Sequence, residues 1–186
     1  NLADEYINEK ERCGHWKETA VMVKGGAVRS CTWMFLQLWD YNVKNEHYER
    51  YLDIEQSACP VPSRGFVIPY GDSPLDTENV GELVYMDILN TARDYVHIMT
   101  PYLILDNEMI TALTYAAKRG VDVKIIMPGI PDKTYAFALA KTYYPELLRA
   151  GVKIYQYEPG FVHAKEFTSD GNKAVVGTIN LDYRSL

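Results

Sequence analysis

The chain has 186 residues, 47% of them hydrophobic and 24% charged, with a formal net charge of −6. That balance suits a folded globular protein with a sizeable core and argues against disorder as its main state. With 19 Lys and Arg against 25 Asp and Glu, a generic basic nucleic-acid coat is excluded, and the densest apolar run, 33–36, is too short to span a membrane.

The chain opens on Asn1, in mid-pattern and without a signal peptide, which leads us to expect a piece of something longer. A short strand is expected over Thr19–Lys24, then Gly25-Gly26, then a helix from Ala27 to Tyr41. Val28, Cys31, Phe35, Leu38 and Trp39 share one face of that helix, and Trp33, Met34 and Leu36 widen the apolar surface almost all round. Such a helix is expected to lie buried between two layers rather than against lipid. The Pro-, Ser- and Gly-containing stretch 57–65 has no periodicity and reads as a linker between 1–56 and 66–186.

Beyond it, strands and helices alternate. Phe66–Tyr70 is an expected strand and Glu78–Ala92 a helix capped by Asp76 or Thr77. Tyr95–Thr100 is a strand, and Asn107–Arg119 a helix capped by Asp106 and closed by Gly120. Val121–Met127 is a strand, Thr134–Ala150 a helix broken at Pro145 and stopped by Gly151, and Val152–Tyr157 a strand again. This order predicts an α/β fold with substantial parallel pairing. The last two strands, His163–Phe167 and Lys173–Thr178, form a hairpin about Ser169-Asp170-Gly171-Asn172, which makes the sheet mixed.

With Asp170-Gly171 as a two-residue turn, Ser169 faces Asn172, Lys165 faces Val176 and His163 faces Thr178. Alternation then gathers His163, Lys165, Thr178 and Asn180 on one face. An imidazole can attack as a nucleophile or serve as an acid near neutral pH. An ammonium, a hydroxyl and a carboxamide can all donate to phosphoryl oxygens. Together they suit attack by histidine on phosphorus, with Asp170 fixing the turn and Gly177 allowing close approach of backbone to a ligand.

The spacing His163-x-Lys165-x4-Asp170-x6-Gly177-Thr178-x-Asn180 resembles the HKD motif of the phospholipase D superfamily. By ordinary residue frequencies a chance match in a chain of this length is on the order of a few in a million. The resemblance extends to bacterial cardiolipin synthases. Residues 180–186 resemble the stretch after their second motif, while Thr100-Pro101-Tyr102 and residues 151–155 resemble other parts of their second half. Residues 1–6, which echo the shorter Asn180-Leu181-Asp182-Tyr183, resemble the close of their first motif. Trp16-x-Glu18-Thr19 and Gly26-Ala27-Val28 resemble the segment just after that motif.

The resemblance implies a phospholipase D-like α/β/α sandwich, preceded by the tail of a first such domain and truncated at its C-terminus. It implies His163, Lys165 and Asp170 as catalytic residues, with Lys165, Thr178 and Asn180 binding the substrate phosphate and Glu18 as an orienting carboxylate. The implied reaction is phosphatidyl transfer between two phosphatidylglycerol molecules, giving cardiolipin and glycerol through a phosphohistidine, with no metal or cofactor. One imidazole cannot be nucleophile and acid in one step, so the first motif's half is an expected catalytic partner, and this chain alone is expected to be inactive. Such a parent would sit at a bacterial cell membrane with peripheral catalytic domains, the piece itself being soluble. The rival readings are another phospholipase D-like phosphodiesterase (a lipid hydrolase or a dimeric nuclease) or an inert piece; the acidic balance disfavours nucleic acid.

Other candidates have plainer readings. Cys13, Cys31 and Cys59 suit neither a disulfide framework nor zinc and point to a reducing compartment. His97 reads as a packed strand residue, and His15 and His47 as solvent-facing. Tyr102, Asp72, Asp132 and Lys133 come after expected strands, where ligands of open α/β sheets bind, and could border a site or simply form turns.

Overall fold

A computed structural model of the chain describes residues 3–40, 43, 47–53, 65–72 and 77–186. The first elements are β1 (His15–Lys17), α1 (Ala27–Asp40), α2 (Glu49–Leu52) and α3 (Val80–Thr91). Then come β2 (Tyr95–Met99), β3 (Leu103–Ile104), α4 (Asn107–Lys118), β4 (Asp122–Pro128) and α5 (Thr134–Ala150). The chain closes with β5 (Lys153–Tyr157), β6 (Gly160–Val162), β7 (Glu166–Ser169), β8 (Lys173–Val176) and β9 (Leu181–Asp182). Contacts divide it into two units, residues 1–20 with 77–186, and residues 21–76. The cuts fall outside the expected linker 57–65, of which only residue 65 is described.

The larger unit is built on a five-stranded sheet in the order β5-β4-β2-β7-β8. β5, β4 and β2 run parallel, whereas β7 is antiparallel to β2 and β8 to β7, so the sheet is mixed as expected. Alternation along β2 and β4 buries Val96, Ile98, Val123, Ile125 and Met127 with Tyr85, Leu89, Leu113 and Leu147 from the helices. Asp106 caps α4 by accepting from the Met109 N–H at 2.8 Å, and Gly151 ends α5 with φ +102°, both as the sequence indicates.

Several expectations fail for identifiable reasons. Residues 18–24 are not a strand; the strand lies just upstream at β1, because the parallel edge of β6 recruits His15–Lys17. Phe66–Tyr70 is not a strand either, with Phe66 95% and Ile68 78% exposed, since no described strand pairs with it. α5 runs through Pro145 unbroken, because Ala136, Ala140 and Leu147 bury one stripe on both sides of the proline. α3 starts at Val80 after Asn79 with no side-chain cap bond; Thr77 lies outside the helix, and Asp76 is beyond the described residues.

In the smaller unit, α1 is helical as expected but is not a buried helix among the described residues. Only Leu36 is buried, while Trp33, Phe35, Leu38 and Trp39 are exposed.

The hairpin is displaced by one residue. Asn172 N–H donates to Ser169 at 3.1 Å, and Asp170 and Gly171 both take positive φ, 51° and 67°, as an Asp-Gly turn requires. Yet Ser169 pairs with Lys173, and Glu166 with Val176, leaving Asn172 as a third loop residue. Lys165 therefore faces Gly177, whose N–H donates to its carbonyl at 3.1 Å, rather than Val176, and His163 precedes the ladder instead of facing Thr178 within it.

Asp170 anchors the turn to the main sheet. Its carboxylate accepts the backbone N–H groups of Arg93, Asp94 and Tyr95 at 2.8, 3.0 and 2.9 Å, where the chain enters β2. Those N–H groups, Tyr95 and Arg93 foremost, hold the carboxyl below its ordinary range. A depressed folded value means that the stabilisation is present above the unfolded pKa and disappears as pH falls through the folded one. Asp170→Ala is thus expected to lower the urea midpoint at pH 7. The deficit should shrink as pH is lowered below 4; a deficit independent of pH would contradict this role.

Candidate active site

The site forms where β1 meets the residues following β6. His15, Trp16 and Lys17 pair in parallel with Gly160, Phe161 and Val162. Beyond the pairing, the N–H groups of His163 and Ala164 both donate to the Lys17 carbonyl, at 2.9 and 3.1 Å. Gly160 makes the approach possible: a Cβ there would lie 2.3 Å from the His15 carbonyl oxygen. Asn8 clips the other side of the strand, accepting from Trp16 N–H at 2.7 Å and donating to the Trp16 carbonyl at 3.1 Å.

This docking sets Glu18, the residue after β1, against His163. His163 Nδ1 is bonded to Glu18 Oε1, although 145 residues separate them. The bond to a carboxylate selects the tautomer with the proton on Nδ1 and leaves the Nε2 lone pair for chemistry. Burial, and secondly the Lys165 charge, hold the imidazole below its ordinary value against the opposing pull of Glu18. A neutral ring with an available Nε2 suits a nucleophile.

Lys165 is 6% exposed, and its Nζ donates to the His163 carbonyl. Burial pushes its pKa down to about 8, while the charges of Glu18, Asp132 and Asp182 work the other way. A lysine held among carboxylates in a buried site remains a cation near neutral pH and can receive an anionic oxygen.

Asp132 acts electrostatically on both His163 and Lys165. Tyr102 donates to its Oδ2 at 2.8 Å, and the Lys133 ammonium sits 5.1 Å from the Tyr102 ring centroid. Burial and this acceptor push the Tyr102 phenol above its usual range. Tyr102, Asp132 and Lys133 thus form one connected group, linked to His163 and Lys165 through the Asp132 charge.

The other sequence candidates separate. Asp170 lies in the turn just past the end of β7, whereas His163 lies before its start, and the Asp170 carboxylate serves the turn. Thr178 is exposed just beyond β8, whereas Asn180 is half-buried and its Oδ1 has no partner among the described residues. His97 is a strand residue against Asp122, 3.4 Å away, as its plain reading had it. His15 and His47 are exposed, as is Asp72. Among the described residues no three His, Cys, Asp or Glu side chains converge as a metal site, and none of the helices is long and apolar enough to cross a membrane.

Sequence reasoning missed Tyr6 and Asp182 as neighbours of the motif. Tyr6 stacks on the His163 ring, with centroids 4.8 Å apart and planes 9° from parallel. Asp182 is buried in β9 beside β3. The only signal is the Asn-Leu echo that contains both residues, and an echo carries no contact information.

A family model described as cardiolipin synthase, phospholipase D-like domain, matches residues 85–186. An uncharacterised protein of Streptococcus mutans is 66% identical over 186 residues, covering all of this chain and 40% of that protein. A cardiolipin synthase of Geobacillus thermodenitrificans is 37% identical over 188 residues, covering all of this chain and 37% of that one. The chain therefore spans about two fifths of the length of these relatives. A crystal structure of a phospholipase D family member, Nuc from Salmonella typhimurium, overlaps 56% of this chain and 66% of its own at TM-score 0.45 and 20% identity, too partial a likeness to add to the assignment.

Proposed function

Because the chain belongs to the cardiolipin synthase phospholipase D-like domain family, we propose that it supplies one half of a phosphatidyltransferase acting at a bacterial membrane. In this reading residues 1–56 are the tail of a first phospholipase D-like domain, 57–65 a linker and 66–186 most of a second. The observation that carries it is the Glu18–His163 pair with Lys165 two residues along the chain, since a tautomer-fixed imidazole beside a buried ammonium suits attack on a phosphodiester.

His163 Nε2 attacks the phosphorus of a phosphatidylglycerol, forming a P–N bond while the P–O bond to glycerol breaks. The departing glycerol takes its proton from the histidine of the first motif, carried by the missing half. The hydroxyl of a second phosphatidylglycerol then gives its proton back to that histidine and attacks phosphorus, breaking the P–N bond and releasing cardiolipin. Lys165 and the half-buried Asn180 bind the phosphoryl oxygens, Thr178 would reach them only from its exposed position beyond β8, Glu18 orients His163, and Asp170 acts through the hairpin rather than on substrate.

The test is to present the chain alone, and a protein carrying it together with an upstream His-x-Lys-x4-Asp motif, with phosphatidylglycerol vesicles. The longer protein is expected to release glycerol and cardiolipin in equal amounts, and the chain alone neither. Phosphatidic acid as the main product would make it a hydrolase. Activity of the chain alone, lost in His163→Ala, would make it a competent dimer.

A further inference from the structure

The bond to Glu18 directs His163 Nδ1, but a single hydrogen bond to a rotatable carboxylate tolerates a range of angles and so restrains the ring plane only loosely. Among the described residues three aromatic rings meet the imidazole from elsewhere. Phe161 lies 6.0 Å away at 28° and Trp16 5.5 Å away at 47°, while Tyr6 alone lies nearly parallel, at 4.8 Å and 9°. Tyr6 is itself braced on Trp16, 5.3 Å away at 44°, and Trp16 is held by the Asn8 clip and by the β1–β6 pairing. The platform is therefore mounted on the same docked segment that brings Glu18, and the imidazole is fixed in direction by one residue and in plane by another.

We propose that Tyr6 is a positioning residue for His163, a stacking platform that holds the imidazole plane so that Nε2 meets phosphorus in line. This rests on the reading of His163 as the attacking group. The reason is geometric: nucleophilic displacement at phosphorus needs the nitrogen lone pair, the phosphorus and the leaving oxygen aligned, and small tilts of the nucleophile cost rate steeply. The platform also suits the charge the ring acquires on phosphorylation, because an aromatic face attracts a cation. The contact observed is face to face between the two rings, so the aromatic face rather than the hydroxyl is what the proposal needs.

The test compares Tyr6→Phe, Tyr6→Leu and Tyr6→Met in a protein carrying both motifs, and in the labelled 186-residue chain by NMR. Leu and Met are expected to lower kcat by about 10- to 100-fold with KM within about twofold, and to remove the ring-current shift of the His163 ring protons. Phe should keep both the rate and the shift. Methionine keeps the side-chain reach, so it serves if the leucine variant does not fold. Wild-type kcat in Leu or Met with the ring-current shift gone would overturn the proposal, as would a Phe variant as slow as Leu. Should His163→Ala leave transfer intact, the reading of the site fails instead, while the ring-current result still reports whether Tyr6 sets the ring.

Discussion

Replacing His163 by alanine is expected to lower phosphatidyl transfer in a protein carrying both motifs by about 10⁴-fold or more, the range seen when a covalent nucleophile is removed. The side chain is half-buried against Glu18, Tyr6, Trp16 and Phe161, so the loss is chemical only if the fold survives. A melting curve close to that of the unaltered protein establishes that. The sharper measurement is a rapid quench with labelled phosphatidylglycerol. The unaltered protein should accumulate an acid-labile, alkali-stable phosphoryl adduct, and His163→Ala should accumulate none. An adduct that persists in the variant would move the nucleophile to the other motif and leave His163 as the acid.

Lys165→Met is the second large effect, expected at about 10²- to 10³-fold in kcat, the range for removing one fixed donor to a developing anionic oxygen. The pH dependence identifies its cause. Burial favours the neutral form of Lys165 and pushes its pKa down to about 8, so the free protein loses this cation as pH rises through that value. The profile of kcat/KM should therefore fall above about pH 8. Lys165→Arg keeps its charge across this range, so even at reduced overall rate its alkaline limb should move upward. An unmoved limb would assign that titration to another group. The acid limb is expected to report His163, which burial and the Lys165 charge hold below the ordinary imidazole value, so this limb should lie to the acid side of an ordinary imidazole.

Expected and observed elements differ for physical reasons. Several local signals agree, among them the Asp106 cap, the Gly151 stop and the two-residue alternation along β2 and β4, although the Pro145 break and the α3 cap do not. Two features that depend on a distant partner differ. Thr19–Lys24 has strand-like residues, but the observed pairing lies upstream at His15–Lys17, where Gly160 lets β1 approach. The Asp-Gly turn lies where its residues place it, whereas its register is shifted, because a third loop residue is compatible with the same turn chemistry.

The candidate site divides along the same line. The spacing of His163, Lys165, Asp170 and Asn180 is a property of one short segment, so the sequence alone is sufficient to propose the chemistry. It is also sufficient to nominate Glu18, though only through resemblance to a family. Spacing cannot say that Asp170 works at the opposite end of the hairpin from His163, nor that Tyr6 lies flat on the imidazole. Those facts depend on a parallel contact between segments some 145 residues apart and on a one-residue shift between paired strands. Local sequence constrains the reacting groups, because their chemistry resides in individual side chains; their orientation is set by packing across the whole chain, and only the tertiary structure decided it.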